Sequence, residues 1–209
     1  MVWQFNKQVA SEFGTHARQH IPDYNKVLEL SLDLCHQRLD FGDAILEIGC
    51  AIGETVDRLN NAGYTNIHAV DSSQAMLDHC PAGKANYYCS SEYPDIDIKF
   101  DMVLCNWTLH FIENKQPYLK KIFSNMKSGA VLVLSEKTEN KGYALEQYHI
   151  YKSRQGVSHE QIKLKEQSLK GVMFPLSVEN YLALLKETGF SEIYIASANW
   201  CFTTFVVIK

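Results

Sequence analysis

One acidic residue and two glycines form the most informative short motif in the chain. Glu47 lies in an apolar run, Gly49 ends that run, and Gly53 follows four residues later. An apolar run that ends in glycines and leads into a helical segment predicts a buried strand, a tight turn and a helix N-terminus, a common cradle for nucleotide-like ligands. The pyrophosphate pattern G-x-G-x-x-G is absent, because position 51 is Ala51. The motif therefore favours a ligand with an adenosine part and no phosphate, with Glu47 near an ammonium or hydroxyl group.

Polar residues follow two further predicted strands. Asp71 ends the strand predicted over 66–70, close to the ~20 residues after the glycine turn at which nucleotide-binding folds place a ribose ligand. The alternative role for Asp71 is to cap the next helix. Asn106 ends the strand predicted over 100–106, where it can meet the ammonium group of an amino acid. S-adenosylmethionine combines these features, so we expect it as the cofactor and S-adenosylhomocysteine as the product.

The order of predicted elements indicates how these residues are positioned. Apolar runs predict strands over 44–48, 66–70, 86–89, 100–106 and 130–134, and helical segments separate most of them. Strands that alternate with helices imply parallel pairing. Two last strands, 193–197 and 203–208, are joined by a short link and can pair only antiparallel. We therefore predict a Rossmann-like α/β fold, with a mostly parallel sheet and a C-terminal antiparallel hairpin.

Two helical segments extend this predicted fold within one domain, residues 1–209. Residues 1–40 form an N-terminal helical arm, and residues 137–175 form a helical lid inserted after the fifth strand. In the lid, His149 is a candidate catalytic base, and Tyr148 and Arg154 are candidate substrate contacts. The alternative is an amphipathic helix whose aromatic residues pack on a neighbouring subunit. His110 is a further candidate substrate contact, unless it is a surface or structurally bonded histidine.

Composition limits the classes of function. Of the 209 residues, 46% are hydrophobic and 21% are charged, as in soluble globular proteins. The net charge of −4 argues against a sequence-independent grip on nucleic acid, which needs a basic surface. No apolar run approaches the ~18–20 residues that span a bilayer. The 6 cysteines include no C-x-x-C pair, so we expect reduced thiols, no zinc or other metal, and a cytoplasmic location.

The motifs together resemble class I S-adenosylmethionine-dependent methyltransferases. A narrower resemblance, to the carboxy-S-adenosylmethionine synthase family, covers almost the whole chain. Members of that family make the cofactor for a tRNA wobble-uridine modification. The resembling residues are Phe5, Val9, Ala10, Phe13, Pro22 and Tyr24 in the arm, Gly49, Cys50, Asp71, residues 106–111 and 134–137 in the core, and His149, Lys152, Gly156, Leu169, Val172, Met173 and residues 177–179 beyond it.

The resemblance implies a homodimer and a set of cofactor contacts. The implied contacts are Tyr24, Gly49, Cys50, Ala51, Asp71, Ser72, Ser91 and Asn106. Two positions depart from the family: Ser91 replaces an aspartate, and Glu166 replaces the arginine that holds the extra carboxylate of the product. A glutamate repels a carboxylate, and a one-residue slip would supply only Lys165, a point charge without arginine's bidentate fork.

The sequence therefore favours a methyltransferase that acts on a small molecule through nitrogen, oxygen or carbon. A carboxy-S-adenosylmethionine synthase using prephenate is the first alternative. A non-catalytic S-adenosylmethionine-binding protein is the second. A nicotinamide dehydrogenase is disfavoured, because its glycine motif is absent.

Overall fold

The computed structural model describes residues 3–209 and is built around a seven-stranded sheet. The strands are β1 (Ile45–Ile48), β2 (Ile67–Asp71), β3 (Asn86–Cys89), β4 (Phe100–Asn106), β5 (Met126–Lys137), β6 (Glu192–Asn199) and β7 (Phe202–Ile208). Their order is β3-β2-β1-β4-β5-β7-β6. Strands β1 to β5 pair in parallel, and β7 pairs antiparallel with both β5 and β6. The predicted fold is confirmed; the first two residues of the predicted arm lie outside the described part.

The helices cover both faces of this sheet. They are α1 (Lys7–His20), α2 (Tyr24–Arg38), α3 (Glu54–Asn61), α4 (Gln74–Leu77), α5 (Lys115–Asn125), α6 (Tyr143–Arg154), α7 (His159–Leu169) and α8 (Val178–Thr188), with a 3₁₀ turn at Leu109–Phe111. Helices α1 and α2 form the predicted arm, and α6 and α7 lie in the predicted insertion. Within residues 3–209, no helix combines the length and apolarity that crossing a membrane requires.

The central strands are apolar because both of their faces are covered. Every residue of β1 is buried, as is all but one residue of β4. Leu46 and Ile48 join a core that includes residues of α5 and α8, whereas Ile45 joins the core beneath α2 and α3. The chain leaves β1 towards β2 on one side and returns to β4 on the other. Ligands of open α/β sheets bind at such a switch point, outside the carboxyl ends of the strands.

Strands β5, β6 and β7 extend beyond the ranges predicted from the sequence. Strand β5 begins at Met126 and ends at Lys137, whereas the prediction covered only 130–134. Both extensions are paired, because Met126 lies opposite β4 and Lys137 lies opposite Phe202 of β7. The link between the last two strands is shorter than predicted and consists of Trp200 and Cys201, because β6 ends at Asn199 and β7 begins at Phe202. Pairing with a neighbouring strand extends each of these strands beyond its apolar run.

Candidate cofactor and substrate site

A cavity of about 350 Å³ lies at the carboxyl ends of the central strands. Its lining comes from the loop after β1, from the arm and from the insertion. Every predicted cofactor residue except Gly53 lines it: Tyr24, Glu47, Gly49, Cys50, Ala51, Asp71, Ser72, Ser91 and Asn106. Among the predicted substrate residues, His110, Tyr148 and Glu166 line it as well. The fold thus gathers residues that are more than a hundred positions apart.

Two positions of the turn after β1 require glycine. Gly49 has a φ of +76°, and a Cβ at this position would lie 1.8 Å from Oγ1 of Thr108. The Thr108 hydroxyl donates to the carbonyl of Ile48 at 3.1 Å, which ties the turn to the chain after β4. Gly53 has a φ of +77°, and a Cβ there would lie 2.8 Å from Cδ of Pro81. Gly53 therefore shapes the turn without lining the cavity.

Asp71 connects the turns after β1 and β2. Its Oδ2 accepts the Ala51 N–H at 2.9 Å, and its Oδ1 accepts the Ser73 N–H at 2.8 Å. Burial raises the pKa of this carboxyl, and the backbone N–H groups oppose the rise. The Ser73 side chain, which accepts from the Met76 N–H, caps α4. Since each carboxylate oxygen can accept more than one hydrogen bond, Asp71 can shape the loop and still receive ribose hydroxyls.

Two buried oxygen acceptors in the cavity wall have no partner among the described residues. They are Oε2 of Glu47 and Oδ1 of Asn106, whose Nδ2 donates to Ser31 Oγ at 3.2 Å. Burial raises the pKa of Glu47 to about 8, a hydrogen bond from Thr55 opposes the rise, and the nearby carboxyls of Asp71 and Glu54 add to it. Buried polar atoms normally have partners. An ammonium group supplies donors for both acceptors, so the site fits the amino-acid end of S-adenosylmethionine.

The arm is fixed above this site by an ion-pair network. The Tyr24 ring stacks on Trp107 with centroids 4.7 Å apart, and its hydroxyl donates to Glu54 Oε2 at 3.4 Å. Glu54 also pairs with Arg18 of α1 at 2.6 Å and with Arg58 of α3 at 3.0 Å. These contacts hold the arm against the helix that follows the glycine turn, and Tyr24 therefore forms one wall of the cofactor site.

His110 forms a buried pair with Glu136, a residue that was not predicted as part of the site. His110 Nδ1 lies 2.8 Å from Glu136 Oε2, and both side chains are buried. Glu136 also accepts the Leu109 N–H at 2.8 Å and the Tyr181 hydroxyl at 3.2 Å. With Nδ1 donating to the carboxylate, Nε2 is the ring nitrogen left to accept a proton. The sequence signal for Glu136 was a lone acid at the end of an apolar strand.

The structure divides the predicted residues of the lid. Tyr148 and Glu166 line the central cavity, whereas His149 and Arg154 line a separate groove on α6 and α7. His149 Nε2 contacts the Glu166 carboxylate, which is also 3.4 Å from Lys152 Nζ. The Tyr148 hydroxyl donates to a carbonyl of α1 at 2.9 Å. His149 therefore reaches the cavity only through Glu166.

Three lysines of the cavity wall were not predicted as site residues, although the family resemblance included Lys137 and Lys152. Lys137 ends β5, Lys152 lies on α6 and Lys165 lies on α7. Lys165 entered the sequence analysis only as the neighbour of Glu166. No spacing rule links residues on three different elements, so only the fold reveals this cluster.

Comparison with known proteins agrees with this geometry. A family model described as a methyltransferase domain matches residues 46–132. The carboxy-S-adenosyl-L-methionine synthase of Helicobacter hepaticus is 32% identical, over 92% of this chain and 89% of its own length. The chain belongs to the carboxy-S-adenosylmethionine synthase family. The synthase of Shewanella piezotolerans is 30% identical over 99% of this chain and 93% of its own length.

Solved structures support the same fold. A Thermotoga maritima S-adenosylmethionine-dependent methyltransferase, described as a possible histamine N-methyltransferase, superposes with a TM-score of 0.70 at 17% identity. That superposition covers 99% of each chain. As a member of the carboxy-S-adenosylmethionine synthase family, the chain has the class I methyltransferase fold, uses S-adenosylmethionine as its cofactor and is an enzyme that transfers one-carbon groups.

Proposed function

We propose that the enzyme transfers the methyl group of S-adenosylmethionine to a small-molecule acceptor held beneath α6 and α7. The observation that carries this proposal is the position of Glu166. It lines the cavity beside the cofactor residues, where the family resemblance expects an arginine, and it pairs with Lys152 and His149. A carboxylate at this position opposes the binding of a carboxylated cofactor.

The bound cofactor supplies a methyl group on a positively charged sulfur. The residues of the chain hold and orient the reactants. Tyr24, Asp71 and Asn106 line the cavity and would hold and orient the cofactor there, and the arm and the lid also contribute to the cavity wall. If the acceptor attacks through an N–H or O–H group, its proton needs a base. His110 can accept it at Nε2, with Glu136 stabilising the imidazolium; His149 remains a second candidate, acting from beside Glu166.

Synthesis of the carboxylated cofactor from prephenate is the second candidate function. The relatives from Helicobacter hepaticus and Shewanella piezotolerans are named for that activity, and they align with nearly the whole chain. The lysines of the cavity also provide positive charge that can hold a carboxylate without an arginine.

Isotope transfer tests the proposed function. The enzyme is incubated with S-adenosylmethionine carrying a ¹³C-methyl group and a deproteinised metabolite extract, and the products are separated by mass spectrometry. The proposal predicts S-adenosylhomocysteine together with a ¹³C-methylated acceptor. Conversion of the cofactor to its carboxylated form in a parallel incubation with prephenate would contradict it.

We further propose a cytoplasmic homodimer that does not bind nucleic acid directly. The 6 cysteines are thiols, as suits a reducing compartment. Tyr143 and Trp200 are 67% and 51% exposed and pack edge to face, an apolar surface beside the lid that suits a second subunit. The net charge of −4 argues against a nucleic-acid surface. Light scattering coupled to size exclusion should give twice the chain mass of 23.9 kDa, and a monomer would contradict the dimer.

A further inference from the structure

Three buried side chains beside the cavity share hydrogen bonds: His110, Glu136 and Tyr181, here called the His–Glu–Tyr unit. His110 Nδ1 lies 2.8 Å from Glu136 Oε2, and the Tyr181 hydroxyl donates to the same oxygen at 3.2 Å. Glu136 and Tyr181 are fully buried, whereas His110 lines the cavity. Tyr181 can therefore influence the cavity through Glu136 and His110 without lining it.

The main chain fixes both ends of the unit. The Phe174 N–H donates to the His110 carbonyl at 2.7 Å, and Lys115 Nζ donates to the Phe174 carbonyl at 2.5 Å. Ser177 caps the N-terminus of α8, which places Tyr181 near the start of that helix. The segment that leads from the lid into α8 is thus tied to the 3₁₀ turn that carries His110.

The contacts of Nδ1 indicate which ring nitrogen of His110 carries the proton. Glu136 already accepts the Leu109 N–H at 2.8 Å through its Oε1. His110 Nδ1 also lies 3.3 Å from the Lys137 backbone nitrogen, which would donate to it in the other tautomer. The contact with Glu136 is shorter, and hydrogen bonds to a carboxylate are the stronger ones. Nδ1 therefore carries the proton, and Nε2 is left as the acceptor.

Tyr181 and His110 compete as donors for one carboxylate oxygen. Burial and the charge of Glu136 raise the pKa of Tyr181 well above its usual value, so its hydroxyl stays protonated and donates. The other titratable groups that face Glu136 are Cys105 on β4 and Lys115 on α5. Each donor withdraws charge from the oxygen it contacts, so the Tyr181 hydroxyl weakens the hold of Glu136 on the imidazole.

We propose that Tyr181 is a positioning residue that acts through Glu136 on His110. It helps to hold the imidazole with Nε2 as the acceptor, and it limits how strongly Glu136 stabilises the imidazolium. This inference rests on the proposed function, in which His110 Nε2 takes the proton that the acceptor atom loses when it is methylated. The Nδ1 proton stays on the ring throughout, hydrogen-bonded to Glu136.

NMR of protein labelled with ¹⁵N-histidine tests the unit without any acceptor. We expect His110, assigned with the variant His110→Gln, to carry its proton on Nδ1. In Tyr181→Phe, the Nδ1–H resonance should move downfield, because the remaining hydrogen bond to Glu136 becomes stronger. A proton on Nε2 would overturn the proposal, as would an Nδ1–H resonance that Tyr181→Phe leaves in place.

Tyr93→Phe is the matched control for loss of a buried hydroxyl. Tyr93 belongs to the same core cluster as Tyr181, and its hydroxyl has no hydrogen-bond partner among residues 3–209. This variant should leave the His110 resonance unchanged. A resonance that moves equally in Tyr93→Phe and Tyr181→Phe would show that the effect comes from packing, and it would overturn the proposal.

The pH dependence of methyl transfer tests the role in catalysis. Transfer from ¹³C-methyl S-adenosylmethionine should fall on the acidic side as the His110 imidazole becomes protonated. In Tyr181→Phe the imidazolium is more stable, so this acidic limb should lie about 0.5–1 pH unit higher, with no shift in Tyr93→Phe. An acidic limb at the same pH in both variants would overturn the proposal. Absence of transfer by the unmodified protein would instead contradict the proposed function, and the NMR experiment would still decide whether Tyr181 positions His110.

Discussion

At the residue scale, Asp71 combines a structural and a binding role. Its carboxylate accepts N–H groups from the turns after β1 and β2 and faces the cofactor cavity. Asp71→Asn keeps the size of the side chain and replaces one acceptor by a donor. Since hydrogen bonds to charged groups contribute about 1.5–3 kcal/mol, we expect the Kd of S-adenosylhomocysteine to rise about 10- to 100-fold in calorimetry.

An exposed aspartate provides the control. Asp97→Asn changes the same group in the loop before β4, where the side chain is exposed and outside the cavity. It should leave the Kd unchanged. If both variants bind S-adenosylhomocysteine as the unmodified protein does, Asp71 does not contact the cofactor.

Glu47 makes stability depend on pH in a defined direction. Its pKa rises on folding from 4.5 to about 8, so the folded state holds this proton more tightly than the unfolded state does. The resulting stabilisation is full below pH 4.5 and is lost as the pH rises through about 8. Glu47→Gln lacks this titration. The Tm of Glu47→Gln should therefore rise relative to the Tm of the unmodified protein between pH 5 and pH 8, and the difference should then stay constant. A difference in Tm that does not change with pH would contradict the raised pKa.

Strand-end polar residues could be predicted from the sequence, whereas contacts between distant elements could not. Glu47, Asp71 and Asn106 each mark the end of an apolar run, and a parallel sheet brings such ends to one edge. The pairing of Glu136 with His110 depends on how the chain folds back after β4. No local pattern encodes that contact, so the sequence alone could not decide whether His110 contacts substrate or is a structurally bonded histidine.

At the element scale, the turn after β1 needs glycine at position 49 for two reasons: its φ is positive, and the Thr108 side chain lies too close for a Cβ. Gly49 and Gly129 have nearly equal φ angles, +76° and +77°, but a Cβ meets Thr108 at the first and nothing within 4 Å at the second. An alanine in this left-handed region costs about 1–3 kcal/mol at either position. Gly49→Ala should lower Tm further than Gly129→Ala and should also abolish cofactor binding. Equal losses of Tm would show that the contact with Thr108 does not matter.

In the lid, helical spacing predicts the helix but not which of its faces lies against the cavity. The sequence placed Tyr148, His149 and Lys152 on a helix, and α6 is that helix. Spacing groups Tyr148 with Lys152, four residues later, on one face. It does not say which face meets the cavity, because that depends on how α6 packs against α1 and α7. In the structure, Tyr148 and Lys152 face inwards and His149 lies beside Glu166.

At the scale of the whole molecule, we expect the lid residues to decide which reaction this scaffold supports. The sheet has the order β3-β2-β1-β4-β5-β7-β6, and the chain belongs to the carboxy-S-adenosylmethionine synthase family. The cavity departs from the family resemblance at Glu166, whose carboxylate contacts His149 and lies 3.4 Å from Lys152 Nζ. We therefore propose that the fold determines the cofactor and that the charged residues beneath α6 and α7 select the second substrate.

The most direct test of this account is the fate of the cofactor. The purified enzyme is incubated with ¹³C-methyl S-adenosylmethionine, once with a metabolite extract and once with prephenate, and the cofactor products are weighed by mass spectrometry. We expect S-adenosylhomocysteine and a ¹³C-methylated acceptor in the first incubation, and unchanged cofactor in the second. A carboxylated cofactor formed in the presence of prephenate would contradict it.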